Sequence, residues 1–238
     1  FHNQNVVRVF NSKGRIKKTI IKILLSNIDH IICVNNNIYS FMLSMKVSPN
    51  RLSLIPAFLP PSEAEVSESN LSKEVLSFME THQPIIGSHG WFGYFINDVH
   101  VYSFDMIAAL IRKVVAVYPK VGFYTVITDT YDNDHRNKVL KERKFHGLEN
   151  NWLIIEEPNL NAVALFKKSD LFLRPTITDG DSVSIRECLY LGIPVIASDC
   201  VSRPDGCIVF KSRDQVHFEE TVFHTMADLP NAKKKTFK

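Results

Sequence analysis

Eight short apolar runs punctuate the chain: HIICVN (30–35), RLSLIP (51–56), PIIGSH (84–89), VGFYTVIT (121–128), NWLIIE (151–156), DLFLRP (170–175), PVIAS (194–198) and GCIVF (206–210). Their length and β-branched content predict strands. Between nearly all of them the apolar spacing changes to threes and fours, as in VYSFDMIAALIRKVVAVYP, DNDHRNKVLKERKF, LNAVALFKK and SVSIRECLYLG, and predicts helices. Strands that are apolar throughout and alternate with helices predict an α/β fold, a doubly wound parallel sheet covered on both faces. In such sheets ligands bind at the carboxyl ends of the strands.

The rhythm breaks at PAFLPPSEAEVSESN, where three prolines and a run of Glu and Ser intervene. This places a domain junction near Pro60 and divides the chain into residues 1–58, a linker over 59–70 and a larger domain over 71–238. Residues 1–58 are short for an independent α/β domain and read as the remaining part of one. The chain opens on Phe1 in mid-pattern, which suggests processing or trimming. No apolar run reaches the roughly 18 residues of a spanning helix, and no signal peptide is apparent.

Composition narrows the function classes. A hydrophobic fraction of 45% is that of a globular protein with a real core, and 28 basic against 25 acidic residues leave a formal charge of +3, too little to imply nucleic acid as a partner. NAKKKTFK at the end reads as an unstructured basic tail. SKGRIKKTIIKILL reads as a helix with a basic face that packs on a sheet or touches an anionic membrane. Cys33, Cys188, Cys200 and Cys207 lack paired metal spacing and suggest a reducing cytoplasm rather than a disulfide framework. No metal-site spacing, P-loop or G-x-S-x-G elbow is present.

The stretch RPTITDGDSVSIRECLYLGIPVIASD holds the candidate chemistry. Pro175 stops a strand, so the loop after it sits at a carboxyl end. Gly180 permits close approach of a ligand, Asp181 or Ser182 can cap the next helix, and the amides near Val183 and Ser184 can face an anion. Asp179 and Glu187 flank these donors. Carboxylates accept from hydroxyls and amides donate to phosphate, which suits a nucleotide sugar. Equally, Asp179 and Asp181 can be turn residues and Glu187 a solvated helix position.

DGDSVSIRE resembles the E-x7-E motif of retaining GT-B glycosyltransferases of family 4, with Asp179 in place of the first glutamate and Glu187 matching the second. CLYLGIPVIASD resembles that family's EAMACGxPVVAT segment. The resemblance implies a GT-B fold: a Rossmann-like carboxy-terminal domain and a partial amino-terminal one. It also implies a metal-independent hexosyltransferase without a cofactor, whose partners are a nucleotide diphosphate sugar and a sugar or lipid-linked acceptor. The setting would be the cytoplasm or the inner face of its membrane, in bacterial surface polysaccharide or glycoconjugate synthesis. By position, Asp179, Gly180, Asp181 and Ser182 would hold the donor sugar and Glu187 the ribose, while His2 matches a histidine beside the transferred sugar. The family's arginine and lysine at the diphosphate are missing from SHGWFGYFINDVHVYSFDM (88–106). Arg174 and Arg203 are the expected substitutes, with His89 weaker, unless either arginine pairs with Asp179, Asp181 or Asp205. Trp91 and Phe92, after SHG, either line the cleft or pack under the linker, with packing favoured. The rival readings are a non-catalytic nucleotide-sugar binding module and another GT-B enzyme such as a sugar-nucleotide epimerase.

Overall fold

The computed structural model describes residue 10 and residues 14–67, 71–128, 132–157, 160 and 162–236. Contacts divide the chain into two units at Leu59 and Pro60, and the first unit also takes in Thr178–Val183 and Cys200–Arg203. A linear reading of the sequence does not anticipate those two returning pieces.

In the first unit, α1 (Arg15–Ser26), β1 (Ile31–Cys33), α2 (Asn36–Ser44) and β2 (Leu52–Leu54) follow one another. β1 and β2 pair in parallel, with Ile31 opposite Leu52. Asn35 caps α2, its side-chain oxygen accepting from the Ile38 amide at 2.9 Å. Arg51 donates to the Leu25 carbonyl at 3.0 Å and so satisfies an end carbonyl of α1. Leu25, Ile31, Cys33, Ile38, Met42 and Leu52 form the core. The basic helix expected near residue 12 is present as α1, but its apolar residues divide. Leu25 is buried, whereas Ile20, Ile23 and Leu24 are 51%, 57% and 61% exposed.

The second unit contains α3 (Lys73–Thr81), β3 (Ile85–Gly90), the short strands β4 (Phe95–Ile96) and β5 (Val99–His100), α4 (Phe104–Val117), β6 (Gly122–Ile127), α5 (Asn133–Phe145), β7 (Trp152–Ile155), α6 (Ala162–Lys167), β8 (Leu171–Arg174), α7 (Val183–Tyr190, all but its first residue), β9 (Val195–Ser198), β10 (Cys207–Phe210), α8 (Gln215–Ala227) and α9 (Leu229–Thr236). Six strands form one parallel sheet in the order β10-β9-β8-β3-β6-β7. Successive residues of each strand serve opposite faces. Ile86, Phe123, Leu171 and Leu173 join α4, α5 and α8 in one core, while Ile85, Tyr124, Phe172 and Val195 join α3, α6 and α7 in the other. This is the doubly wound α/β arrangement. No described helix is long and apolar enough to cross a membrane.

A chain of buried polar groups crosses three adjacent strands. Ser88 Oγ and Thr125 Oγ1 lie 2.8 Å apart, and the Trp152 indole N–H donates to the same Thr125 oxygen at 2.9 Å. The basic end of the sequence is helical rather than unstructured as far as Thr236. Tertiary pairing holds it: Lys233 Nζ lies 2.6 Å from Asp170, whose other oxygen accepts from the Ile85 amide at 2.8 Å.

Gly90 ends β3 because nothing larger fits. A Cβ there would stand 2.7 Å from Tyr102 Cγ and 2.9 Å from Phe104 Cζ, both ring atoms of buried side chains. Gly90→Ala is expected to lower unfolding free energy by about 1–3 kcal/mol through overpacking, measured by urea denaturation. Unchanged stability would show that the two rings move aside at no cost.

Candidate functional site

The strand order locates a candidate crevice within the second unit. From β3 the chain runs outward to β6 and β7 on one side, then returns to β8 on the other and continues to β9 and β10. Connections leaving β3 and β8 therefore diverge, which makes their carboxyl ends the candidate ligand position.

Arg174 is the last residue of β8 and is 7% exposed. Its Nη1 donates to the His89 carbonyl at 3.2 Å, and its guanidinium carbon lies 5.0 Å from the Tyr102 ring centroid. The ring face and the carbonyl both contribute to compensating for burial of the cation. His89 is a half-buried residue near the end of β3.

β3 leads into an antiparallel hairpin that pairs Phe95 with His100 and Ile96 with Val99. Its two turn residues, Asn97 at φ 49° and Asp98 at φ 62°, have the left-handed conformations of a type I′ turn. His100 closes the structure behind it. Its Nε2 lies 2.8 Å from the Trp91 carbonyl and 3.1 Å from the Phe92 carbonyl, so the proton is assigned to Nε2. Burial, with a smaller contribution from His135, pushes His100 down to about 4, and the imidazole donates as the neutral ring at physiological pH. His135 stacks on it with centroids 4.4 Å apart and is itself shifted down by burial. Phe92 is completely buried, as packing requires. Trp91 packs against the Tyr94 and Tyr102 rings on one side and is 41% exposed on the other, so the packing expected of it is only partial.

Glu187 lies midway along α7 and is half-buried. Burial raises its carboxyl above the ordinary range, and the charge of Glu65 adds to the shift. Among the described residues its carboxylate has no hydrogen-bond or ion-pair partner. Ser184, in the first turn of the same helix, is buried.

The remaining candidates belong to the first unit. Arg203 Nη1 meets Asp179 Oδ2 at 2.9 Å, with the two side chains only 3% and 8% exposed. A second Arg203 nitrogen lies 3.3 Å from Cys200 Sγ. Asp179 Oδ1 accepts from the Gly180 amide at 3.1 Å, and Asp181 Oδ2 accepts from the Ala57 amide at 3.0 Å. Ser182 is buried and Val183 is exposed. The structure thus joins Asp179 to Arg203, one of the pairings left open by the sequence, and places Arg174 against His89 and Tyr102. His2 lies outside the described residues.

These elements define the fold as the GT-B type. OtsA, a trehalose-6-phosphate synthase, superposes with a TM-score of 0.74 at 12% identity, covering 96% of this chain and 58% of its own. HepE from Anabaena, solved in complex with UDP, gives 0.68 at 12% identity over 87% of this chain and 57% of its own. WaaG, a glycosyltransferase involved in lipopolysaccharide biosynthesis, gives 0.64 at 13% identity over 86% and 56% respectively. At these identities the likeness establishes the fold, and the chain spans a little over half the length of each of the three. No family model matches the sequence, and no curated protein does.

The sequence offers Trp91 as a cleft-lining or packing residue but does not single out the hairpin, His100 or Tyr102. Asn97-Asp98 between Phe95-Ile96 and Val99-His100 was the available signal, a two-residue turn of the type that favours positive φ. The buried pair of the first unit makes a separate prediction. Asp179→Ala leaves the Arg203 charge buried without its partner and is expected to cost about 3–5 kcal/mol, much of it recovered by adding Arg203→Met. Chemical denaturation of both single variants and the double variant measures this. Additive losses would show that the two side chains are not coupled.

Proposed function

We propose that this chain is the donor-binding part of a glycosyltransferase, moving a hexosyl unit from a nucleotide diphosphate sugar to a hydroxyl acceptor with retention of configuration. The carrying observation is the half-buried Glu187 carboxylate, which has no partner among the described residues. Such a group is costly unless a ligand supplies hydroxyl donors, and the ribose of a nucleotide does so. Arg174, at the end of β8, then faces the diphosphate, where an arginine meets phosphate oxygens with parallel donors. The first-turn amides near Ser184 assist it. In the reaction the anomeric carbon exchanges its bond to the diphosphate for one to the acceptor oxygen, the acceptor hydroxyl's proton passes to the departing diphosphate, and positive groups stabilise the remaining charge on that leaving group. The nucleotide sugar is substrate rather than cofactor, and cationic side chains rather than a metal balance it.

HepE was solved with UDP and with UDP-glucose, which supports a nucleotide-sugar donor. WaaG supports a role in bacterial surface polysaccharide or glycoconjugate synthesis, with a sugar or lipid-linked acceptor. The exposed Ile20, Ile23 and Leu24 beside Lys22 on α1 support peripheral contact with an anionic membrane at its cytoplasmic face. On this reading Asp179 and Arg203 shape the loop through their own ion pair, with Gly180, Asp181 and Ser182 setting its backbone. That pair also favours a second reading, a binding module without catalysis, because it neutralises Arg203, one of the two arginines that the sequence offers for a diphosphate. Slow hydrolysis of UDP-glucose to glucose and UDP would favour the enzyme, and binding without turnover would favour the module.

Glu187→Gln is expected to lower nucleoside diphosphate affinity by about 1.5–3 kcal/mol, read by calorimetry. Its effect on stability has the opposite sign. Because the folded state holds the Glu187 proton more tightly, the native protein loses stability as pH rises from the ordinary carboxyl range through the raised value. The variant should match the parent at acid pH and melt at a higher temperature at neutral pH. Unchanged nucleotide affinity would remove the ribose assignment.

Arg174→Met is expected to weaken nucleoside diphosphate binding much more than monophosphate binding and to reduce its salt sensitivity. Titrations at two ionic strengths measure both effects. An unchanged ratio would make Arg174 purely structural.

A further inference from the structure

We propose that Trp91 is the stacking surface for the pyranose ring of the donor. The inference rests on the nucleotide-sugar reading above and names the part of the second unit that receives the sugar. Trp91 is the first residue after β3, the strand at the divergence point of the sheet. It is also a large aromatic side chain left 41% exposed beside the completely buried Phe92.

Its backbone is fixed on both sides. The preceding Gly90 carbonyl accepts from the Thr128 amide at 3.2 Å, and its own carbonyl accepts from His100 at 2.8 Å. The hairpin carrying His100 is tied in turn, with the Val101 amide donating to the Tyr94 carbonyl at 2.8 Å and the Ile177 amide to the Val101 carbonyl at 3.0 Å. The indole is braced by Tyr94 and Tyr102, at centroid distances of 5.9 and 6.4 Å and tilts of 38° and 41°. An exposed indole held this firmly is preorganised for a flat apolar ligand face, and it needs little further ordering on binding.

Two ligand faces are flat and apolar enough: a nucleobase and the C–H face of a pyranose. The neighbouring groups select the second. Tyr102, one of the rings bracing Trp91, also lies against the Arg174 guanidinium. The cation assigned to the diphosphate therefore adjoins the aromatic group, while the carboxylate assigned to the ribose lies on α7. In a nucleotide sugar the diphosphate separates ribose from sugar, so the series Glu187, Arg174, Trp91 matches the order of the ligand's own parts. Sugar sites combine such an aromatic face with a few polar groups around the ring edge.

The chain also supplies its own reporter. Its only other tryptophan, Trp152, is completely buried and hydrogen-bonded to Thr125. A change in indole emission on ligand binding therefore reports on Trp91, and the remaining emission checks the fold.

The experiment titrates the full chain, Trp91→Ala and Trp91→Phe with UDP-, ADP- and GDP-glucose and with the three bare diphosphates, by calorimetry and by emission. The expected result is a loss of about 3- to 10-fold in nucleotide-sugar affinity for Trp91→Ala. Bare diphosphate affinity should be unchanged, and Trp91→Phe should recover most of the loss. The emission change induced by the sugar nucleotide should be present in the parent and absent from Trp91→Phe. Equal losses for sugar nucleotide and bare diphosphate, which a nucleobase stack would produce, overturn the proposal while leaving the donor reading in place. No loss for either ligand does the same. If the parent binds none of the six ligands, the donor reading itself falls and takes this proposal with it.

Discussion

The six-stranded sheet must bury both of its faces, and the placement of helices, hairpin and crevice derives from that requirement. Each parallel strand needs a crossover to reach the next, and each crossover puts its helix on one face or the other. Starting from β3 in the interior of the sheet, the chain cannot fill both faces without reversing direction once. The reversal falls between β3 and β8 and leaves their carboxyl ends uncovered by a common connection. The residues there are held from several elements: the Gly90 carbonyl by the Thr128 amide, the Trp91 carbonyl by His100 of the hairpin, and Arg174 by the His89 carbonyl and the Tyr102 ring.

Charge is handled in three ways. Arg203 and Asp179 neutralise each other in a nearly dry environment, so neither is a free charge for a ligand. Arg174 is buried with the His89 carbonyl and the Tyr102 ring face among its contacts. Glu187 has only burial and the like charge of Glu65, and its proton affinity rises as a result. A charge already neutralised shapes a loop, whereas one left in tension is available to respond to a ligand.

The strands of the parallel sheets are legible because their signal is local: each of the eight apolar runs coincides with an observed strand to within one or two residues at either end, β3 running on to Gly90, whereas the two-residue β4 and β5 leave no such run. The candidate loop was legible for a similar reason, since its composition and its spacing to Glu187 lie within one short stretch. What the sequence concealed depends on distant partners. The Arg203–Asp179 pair spans 24 positions, and nothing in either neighbourhood selects it over Asp181 or Asp205. The lysine-rich end looked unstructured because the carboxylate that receives Lys233 sits 63 positions earlier, at the start of β8. Trp91 and Phe92 are adjacent and chemically alike, and only the hairpin decides which of them is buried.

The polar chain through Ser88, Thr125 and Trp152 has a consequence for the uniqueness of the native state. A sheet whose strands are apolar on both sides has little hydrophobic reason to prefer one alignment over its neighbour, since a shifted strand would still bury oily side chains. Two hydroxyls and an indole N–H that must meet in the dry interior remove that freedom. Any slip of β6 against β3 or β7 would strand them without partners, at about 1–3 kcal/mol for each orphaned group. The three side chains act as alignment pins, excluding near-miss sheets that hydrophobic burial alone would tolerate, and so fix where β3 ends.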